Sequence, residues 1–252
     1  MSAKIVINTI LALFVLTIML YQPIIANSQL AVRDGLVSYW TFDKKDINDK
    51  TLKDTWGNNN GKIEGNPQTV GGKIGDGMKF NGVDDQIVVK NSANLTIADE
   101  ITLCAWINWN GDTGIIASKR EPLGYQFSAI KDKTIQLCSP ECIYSDPVLS
   151  PNEWTYIAVT RSKDNKIAFY KNGAPAGNKT TAQAWVKNDV DLIIGAWSGA
   201  GYKYAGILDE LCIYNKALSA NEITSNFVSK GLAVVNSEQK LSITWGEIKL
   251  TE

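Results

Sequence analysis

Short apolar stretches separated by turn residues run through most of this 252-residue chain. The clearest cover Ile101 to Trp109 and Trp154 to Thr160, and a third, Ile167 to Tyr170, leads into Asn172-Gly173. An Asn-Gly pair favours a tight hairpin turn because both residues accept a positive φ. No long amphipathic helical pattern interrupts the series, and short strands with regular turns are typical of a sandwich or barrel. The pattern therefore predicts one all-β domain with flanking segments.

The segment 205–214 is predicted to be a strand that leads directly into a short helix. Alternate side chains of a strand point to opposite sides of a sheet. One side would carry Ile207, Asp209, Leu211 and Ile213, and the other Leu208, Glu210, Cys212 and Tyr214. Downstream, Ser219 and Glu222 have the spacing of a capping box. Ile223 and Phe227 then follow at helical spacing, and Gly231 is a candidate stop.

The charge and the absence of histidine exclude several functions. The formal net charge is −1, and binding to a phosphate backbone needs clustered Lys and Arg, so nucleic acid is not an expected partner. No histidine occurs in the sequence. The chain therefore lacks imidazole metal ligands, Ser-His and Cys-His nucleophiles, and a histidine pH switch.

The first 28 residues have the order of regions found in a signal peptide. Lys4 precedes an almost uninterrupted apolar run at 5–20, and Pro23 and small residues at Ala26 and Ser28 follow. Cleavage is predicted after Ser28, with Ala26 as the alternative, which makes the protein secreted or displayed at the cell surface. The apolar run also approaches the ~20 residues of a membrane span, so an uncleaved anchor is the competing interpretation. Membrane association is expected only in that case.

Four cysteines in an exported chain are interpretable as disulfide partners, and three pairings are possible. Cys138 and Cys142 enclose only three residues, so a bond between them would pin a turn. That pairing leaves Cys104 with Cys212, and closing such a long loop contributes roughly 4 to 5 kcal/mol in the chain-entropy model. A zinc site made of all four thiolates is the alternative, but its usual signature is two close pairs, and only one pair is close here.

Eight stretches, in the same order, resemble those of laminin-G-like jelly rolls in the concanavalin A-like lectin/glucanase class. They read GLVSYWTFD, DTWGNNNGKIEG, KFNGVDDQIVV, ITLCAWIN, NEWTYIAVT, IAFYKNGAPAG, LIIGAW and AGILDELCIYNKALSANEI. The resemblance implies a secreted bacterial protein with a two-sheet antiparallel sandwich over 29–231 and one short C-terminal helix. The remaining residues, 232–252, are predicted to form a tail strand on or beside this domain, because Leu241, Ile243 and Trp245 alternate.

Members of this class mostly bind carbohydrates or other extracellular partners, although some are glycoside hydrolases. The laminarinase type carries E-x-D-x-x-E, which places two glutamates on one face of a strand. The middle strands contain no such motif, and Glu100 and Glu153 each stand alone at a strand start. We therefore expect a non-enzymatic glycan-binding domain. The alternative is a protein-interaction or adhesion module without sugar affinity, which would present a flat apolar patch rather than a groove.

Aromatic residues at loop ends are the candidate sugar-binding residues. Trp109 lies in NWNGDTG, and Trp197 and Tyr202 lie in AWSGAGYKY. A flat apolar ring can stack on a sugar while nearby polar groups bind its hydroxyls. Each of these side chains could instead cover an edge of the sandwich.

The resemblance also implies a possible calcium site. Asp43 follows the first strand, Asp209 lies in the closing strand, and Asp54 opens the DTWGNNNG loop. Carboxylate and carbonyl oxygens are the ligands that Ca²⁺ prefers. In the alternative, the same aspartates make turn hydrogen bonds and order the adjacent loops without a metal.

Overall fold

The structure is a computed structural model, and it describes residues 31–97, 99–121, 123–197 and 201–229. Within these ranges no helix has the length and apolar character needed to cross a membrane. The predicted signal peptide at 1–28, the candidate helix stop Gly231 and the predicted tail at 232–252 lie outside the described residues.

The described residues form two antiparallel sheets and one short helix, as predicted for a jelly-roll sandwich. A 3-10 turn occupies Lys44–Asp46, and the helix, α1, covers Ala220–Val228. The strands are β1 (Leu36–Trp40), β2 (Ile47–Asn48), β3 (Thr51–Leu52), β4 (Gly61–Glu64), β5 (Gln68–Gly71), β6 (Asp76–Asn81), β7 (Gln86–Val89), β8 (Ile101–Trp109), β9 (Gly114–Arg120), β10 (Gly124–Ile130), β11 (Thr134–Cys138), β12 (Cys142–Tyr144), β13 (Trp154–Arg161), β14 (Lys166–Lys171), β15 (Ala174–Thr180), β16 (Leu192–Ile194) and β17 (Ala205–Tyr214).

Strand β17 is the centre of the eight-stranded sheet, whose order is β15-β14-β13-β8-β17-β6-β5. One edge of β17 pairs with β8. Its other edge is shared end to end, since β6 pairs with residues 205–208 and β1 pairs with residues 211–214. The two residues between these partners, Asp209 and Glu210, therefore lie at a junction of strands. The nine-stranded sheet runs β12-β11-β10-β9-β16-β7-β4-β3-β2.

The main apolar core lies between the two sheets and follows the period-2 pattern of the strands. In β8, Leu103, Ala105 and Ile107 point into this core, whereas Cys104 and Trp106 belong to a second apolar cluster on the outer side. An alternating strand can be buried on both faces only when a further layer covers its outer face. Helix α1 supplies that layer on the eight-stranded sheet.

A β-bulge in β17 corrects the strict alternation predicted for this strand. Asp209 is opposite Trp106 and Cys212 is opposite Cys104, so three steps along β17 match two steps along β8. Glu210 occupies the extra position with a φ of 54°. As a result Leu208 and Leu211 both face the main core, whereas strict alternation predicts them on opposite sides of the sheet. Such bulges re-aim side chains and often lie beside functional sites.

Helix α1 begins at the predicted capping box. Ser219 accepts the backbone N–H of Glu222, and the Glu222 carboxylate accepts the backbone N–H of Ser219 at 2.8 Å. The helix ends at Val228, one residue before the extended cap Ser229. Its inner face packs Phe227 against Trp106, with ring centroids 5.5 Å apart. The helix therefore closes the outer face of the eight-stranded sheet.

The disulfide between Cys138 and Cys142 is present, as predicted, and joins the end of β11 to the start of β12. Cys104 and Cys212 lie directly opposite each other on β8 and β17, both buried and both as free thiols. The second predicted bond is thus not formed in the structure, although its two residues are paired in register. The four sulfurs do not converge, because the two pairs belong to different sheets.

Candidate functional site

A groove with a volume of about 860 Å³ opens on the outer face of the nine-stranded sheet. Its floor is formed by β9, β10, β11 and β12, and its walls by the β8–β9 loop and by Trp197, Tyr202 and Lys203. The described lining residues are Asn81, Gly82, Asn110, Asp112, Thr113, Ile115, Arg120, Gln126, Ser128, Ile130, Lys131, Gln136, Cys142, Tyr144, Trp197, Tyr202, Lys203 and Ala205.

The floor is polar because two neighbouring strands alternate in phase. In β10, Tyr125 and Phe127 belong to the main core, so Gln126 points outward into the groove. In β11, Leu137 belongs to the core and Gln136 points outward in the same way. The sequence signal is thus an amide or hydroxyl at alternate positions of consecutive strands, in GYQFSAI and TIQLC. Sequence reasoning assigned no role to these residues.

The floor side chains are linked to one another and leave hydrogen-bonding capacity for a ligand. The Gln126 amide nitrogen donates to Ser128 Oγ at 3.1 Å and to Gln136 Oε1 at 3.2 Å. Within the described residues, the Gln136 amide nitrogen contacts no acceptor of the protein. Gln136 is only 8% exposed, so its side chain is held in place at the bottom of the groove. A fixed amide of this kind can bind a sugar hydroxyl.

An aromatic side chain that sequence reasoning missed lies at the edge of the floor. Register places Ile115, Ser128, Gln136 and Tyr144 in one row across four strands. Tyr144 is 41% exposed and ends this row. It lies on the short strand β12, which the Cys138–Cys142 bond ties to β11. The disulfide therefore positions an exposed ring beside the amides.

The three aromatic candidates from the sequence differ in position. Trp197 and Tyr202 line the groove, and Tyr202 is 62% exposed. Trp197 donates its indole N–H to the carbonyl oxygen of Arg120 at 3.0 Å, which fixes the ring against β9. Trp109 requires a correction, since it is 1% exposed and packs in the main core, where no ligand can stack on it. Its indole N–H donates to the Asp112 carbonyl oxygen, so Trp109 holds the wall loop from beneath.

Comparison with known proteins identifies the family. The model described as the concanavalin A-like lectin/glucanases superfamily matches residues 81–224, which is more than half of the chain. The chain belongs to this superfamily. A search of curated protein sequences found no match.

Solved structures of similar fold come from toxins and glycoside hydrolases. The binding domain of Paraclostridial Mosquitocidal Protein 1 has a TM-score of 0.64 at 19% identity, covering 77% of this chain and 52% of that one. Domain 4 of AbnA, a GH43 extracellular arabinanase from Geobacillus stearothermophilus, has a TM-score of 0.62 at 19% identity, covering 76% of this chain and 97% of that one. Trypanosoma rangeli sialidase has a TM-score of 0.59 at 18% identity, covering 80% of this chain and 34% of that one. This chain thus spans about half of the first of these chains and a third of the sialidase, and at such identities the likeness concerns the fold.

Two of the three aspartates predicted as calcium ligands, Asp43 and Asp209, lie beside the β5–β6 turn. Asp209 Oδ2 accepts the backbone N–H groups of Lys73 at 2.8 Å and Ile74 at 2.9 Å. Asp43 Oδ1 accepts the N–H of Asp76 at 2.8 Å. Both carboxylates thus order the β5–β6 turn. Gly75 in that turn has a φ of 63° and passes so close to Asp43 that a Cβ there would collide with its carboxylate.

Burial disfavours the charged forms of two neighbouring carboxylates, Asp209 and Glu210, whereas Asp43 is paired with Lys45 Nζ at 2.8 Å. Burial raises the pKa of Asp209 to about 7, and the charge of Asp43 adds to the effect. Burial also raises the pKa of Glu210 to about 8, although the hydrogen bond that Tyr39 donates to its carboxylate opposes the shift. Asp209 Oδ1 is buried and has no hydrogen-bond partner in the described structure. A cation beside Asp209 Oδ1 would favour the charged form of Asp209 and give this oxygen a partner.

The third predicted ligand, Asp54, does not fit a metal site. Its carboxylate accepts four backbone N–H groups, at 2.9 to 3.1 Å, from Tyr39, Trp56, Gly57 and Asn59. These hydrogen bonds occupy both carboxylate oxygens and hold the DTWGNNNG loop against β1. Asp54 therefore orders a loop without a metal, which was the alternative interpretation of the sequence. Across the described ranges, no group of three or more His, Cys, Asp or Glu side chains converges as a metal site. Calcium therefore stays a prediction that concerns Asp43 and Asp209.

Proposed function

We propose that this chain is a secreted, non-catalytic, lectin-like domain that binds a glycan in the groove of the nine-stranded sheet. The observation that carries the proposal is the convergence of the floor amides with three partly exposed aromatic side chains, Tyr144, Trp197 and Tyr202, in one groove. A sugar ring has an apolar face and a rim of hydroxyls. Aromatic rings and amides are the groups that complement these two features.

The shape of the site favours a glycan over a protein partner. A groove of about 860 Å³ is large enough for several sugar units, since ligand pockets commonly measure about 300–1,000 Å³. A protein-interaction module would instead present an extended apolar patch. The structurally similar AbnA domain was solved in complex with arabinotriose, and the similar toxin domain is described as a binding domain. Both support binding as the role of this fold here.

The composition of the groove supports a non-catalytic role. Among the described lining residues, Asp112 is the only carboxylate. Most glycoside hydrolases need two carboxylates on either side of the scissile bond, one as general acid and one as nucleophile or base. The proposal of secretion rests on the predicted signal peptide and on the Cys138–Cys142 disulfide, because such bonds persist in oxidising compartments.

A glycan-array screen of the full chain, followed by titration of the best-bound glycan, tests this function. Tyr144→Ala should weaken binding about 3- to 10-fold, which corresponds to the loss of one aromatic stacking contact. The matched control is Trp56→Ala, which removes a ring of similar exposure, 43%, from the unrelated DTWGNNNG loop. No binding to any glycan, or equal losses from both variants, would contradict the proposal.

A further inference from the structure

The groove lining carries more positive than negative charge, although the chain as a whole has a formal net charge of −1. Three described cations, Arg120, Lys131 and Lys203, line it together with one carboxylate, Asp112. The lining therefore has a net charge of +2 from these four side chains, and this excess lies where the proposed ligand would bind.

Lys131 has no carboxylate partner among the described residues, whereas Lys203 lies near Glu64, a carboxylate that also pairs with Lys62. The ion pairs of the described residues join other lysines to carboxylates, and neither Lys131 nor Lys203 takes part in one. Lys203 Nζ donates to a neutral group, the side-chain oxygen of Gln86. The Asp112 carboxylate instead accepts the side-chain amide of Asn110 in its own loop at 3.1 Å.

The backbones of both lysines lie beside the β8–β9 loop, on different elements. The backbone N–H of Lys131 donates to Thr113 Oγ1 at 3.2 Å, which places the end of β10 beside the wall loop. Tyr202, the neighbour of Lys203, accepts the backbone N–H of Ile115 with its carbonyl oxygen at 3.2 Å. The chain from Thr113 to Ile115 thus lies between the two lysines. Asp112 precedes it and Glu64 lies beyond Gln86, but Glu64 is shared with Lys62, so Lys131 and Lys203 still outnumber the carboxylates available to them.

We propose that the groove takes an acidic polysaccharide, whose sugar units carry carboxylate or sulfate groups that contact Lys131 and Lys203. The inference rests on the proposed glycan-binding function and names the class of glycan. The ammonium groups would bind the anionic substituents by charge-assisted hydrogen bonds, while the floor amides bind ring hydroxyls. Since the lysines are partly exposed, their attraction for an anion is screened by salt, and affinity falls as ionic strength rises.

The test measures the affinity of the full chain for two groups of polymers at low salt. The acidic group contains polygalacturonate, alginate and hyaluronan as carboxylate bearers, and dextran sulfate and chondroitin sulfate as sulfate bearers. The neutral group contains dextran, galactan, arabinan and fully methyl-esterified polygalacturonate. The expected result is at least about tenfold tighter binding to an acidic polymer than to its neutral counterpart. The ratio of the affinity for an acidic polymer to that for its neutral counterpart is compared between carboxylate and sulfate bearers, and the larger ratio identifies the preferred anionic group. Raising NaCl from about 0.05 to about 0.5 M should reduce this ratio.

Charge-removing variants locate the effect. Lys131→Gln and Lys203→Gln should each weaken binding to the acidic polymer about 2- to 5-fold, as expected for the loss of one solvent-exposed ion pair, without changing binding to neutral polymers. Lys163→Gln is the matched control, because Lys163 is exposed and lies outside the groove. Binding of neutral polymers alone, or groove variants that match Lys163→Gln, would overturn the acidic specificity and leave the glycan-binding function standing. No binding to any polymer would count against both.

Discussion

The outer faces of the two sheets are built from similar alternating strands, but one is covered by a helix and the other is open to solvent as a groove. On the eight-stranded sheet, the outward side chains are aromatic and apolar, and α1 covers them. On the nine-stranded sheet, the outward side chains of β10 and β11 that line the open groove are two amides, one hydroxyl and Ile130. Both sets are buried, for Trp106 is 6% exposed and Gln136 is 8% exposed. Burial alone therefore does not separate structural from binding residues in this fold, whereas the chemistry of the outward positions does.

This comparison assigns stability to the covered face and binding to the groove. Truncation of a large side chain under α1 leaves a cavity, so it should lower the free energy of unfolding and leave an intact groove. Truncation in the groove removes contacts to a ligand, so it should lower affinity with little effect on folding.

The largest effect is expected from Trp106→Ala on the covered face. The Trp106 ring lies 5.5 Å from the rings of both Tyr156 and Phe227, and Lys73 Nζ lies 4.7 Å above it. Its removal should lower the free energy of unfolding by about 3–5 kcal/mol, measured by urea denaturation. Trp56→Ala, which removes a ring that is 43% exposed, should cost less. A loss below about 1 kcal/mol for Trp106→Ala would mean that this cluster does not stabilise the fold.

The Cys104–Cys212 pair beneath α1, two free thiols in the structure, is predicted to form a disulfide under the oxidising conditions of the proposed secretion. The two residues are opposite each other in the sheet, and a bond there would contribute at most the roughly 4 to 5 kcal/mol of the chain-entropy model. Alkylation in denaturant without reductant should label no cysteine, and peptide mapping without reduction should recover both bonds. Full labelling of Cys104 and Cys212 would contradict this prediction and would mean that side-chain packing stabilises the covered face without a disulfide.

Calcium should stabilise the chain through the β5–β6 turn at the margin of the covered face. A ligand that binds only the folded state adds about 2.7 kcal/mol at a hundredfold excess over its dissociation constant. Asp209→Asn keeps an oxygen for the Lys73 and Ile74 N–H groups but removes the charge, so it should abolish the calcium-dependent rise in Tm. Identical melting curves for the unmutated protein in EDTA and in calcium would leave Asp43 and Asp209 with the role of ordering the turn.

Local signals in the sequence predicted individual strands and the start of the helix, whereas the two-sheet jelly roll was predicted from the resemblance to the laminin-G-like family. Alternation predicted β8 and β13, and the spacing of Ser219 and Glu222 predicted the start of α1, because each pattern is contained within a few residues. The bulge at Glu210 was not predictable in this way. It is set by the junction where β1 and β6 meet β17, and that junction depends on segments far apart in the chain.

The candidate site was only partly predictable for a related reason. Trp197 and Tyr202 were identified as loop aromatics, but Trp109 has the same sequence context and is the last residue of β8, where its side chain points into the core. Gln126 and Gln136 have the pattern of any solvent-facing position. Their convergence arises from the register of β10 with β11, which a single sequence does not reveal.

Affinity for the best-bound glycan and Tm, measured for one substitution on each face, separate the roles of the two faces most directly. Gln136→Ala should weaken binding about tenfold and change Tm by less than about 3 °C, since it removes a groove amide without disturbing the core. Phe227→Ala should lower Tm by more than about 5 °C and leave the affinity within about twofold, because it acts beneath α1. If Phe227→Ala weakened glycan binding more than Gln136→Ala did, the ligand would not bind in the groove of the nine-stranded sheet, and the assignment of the two faces would be wrong.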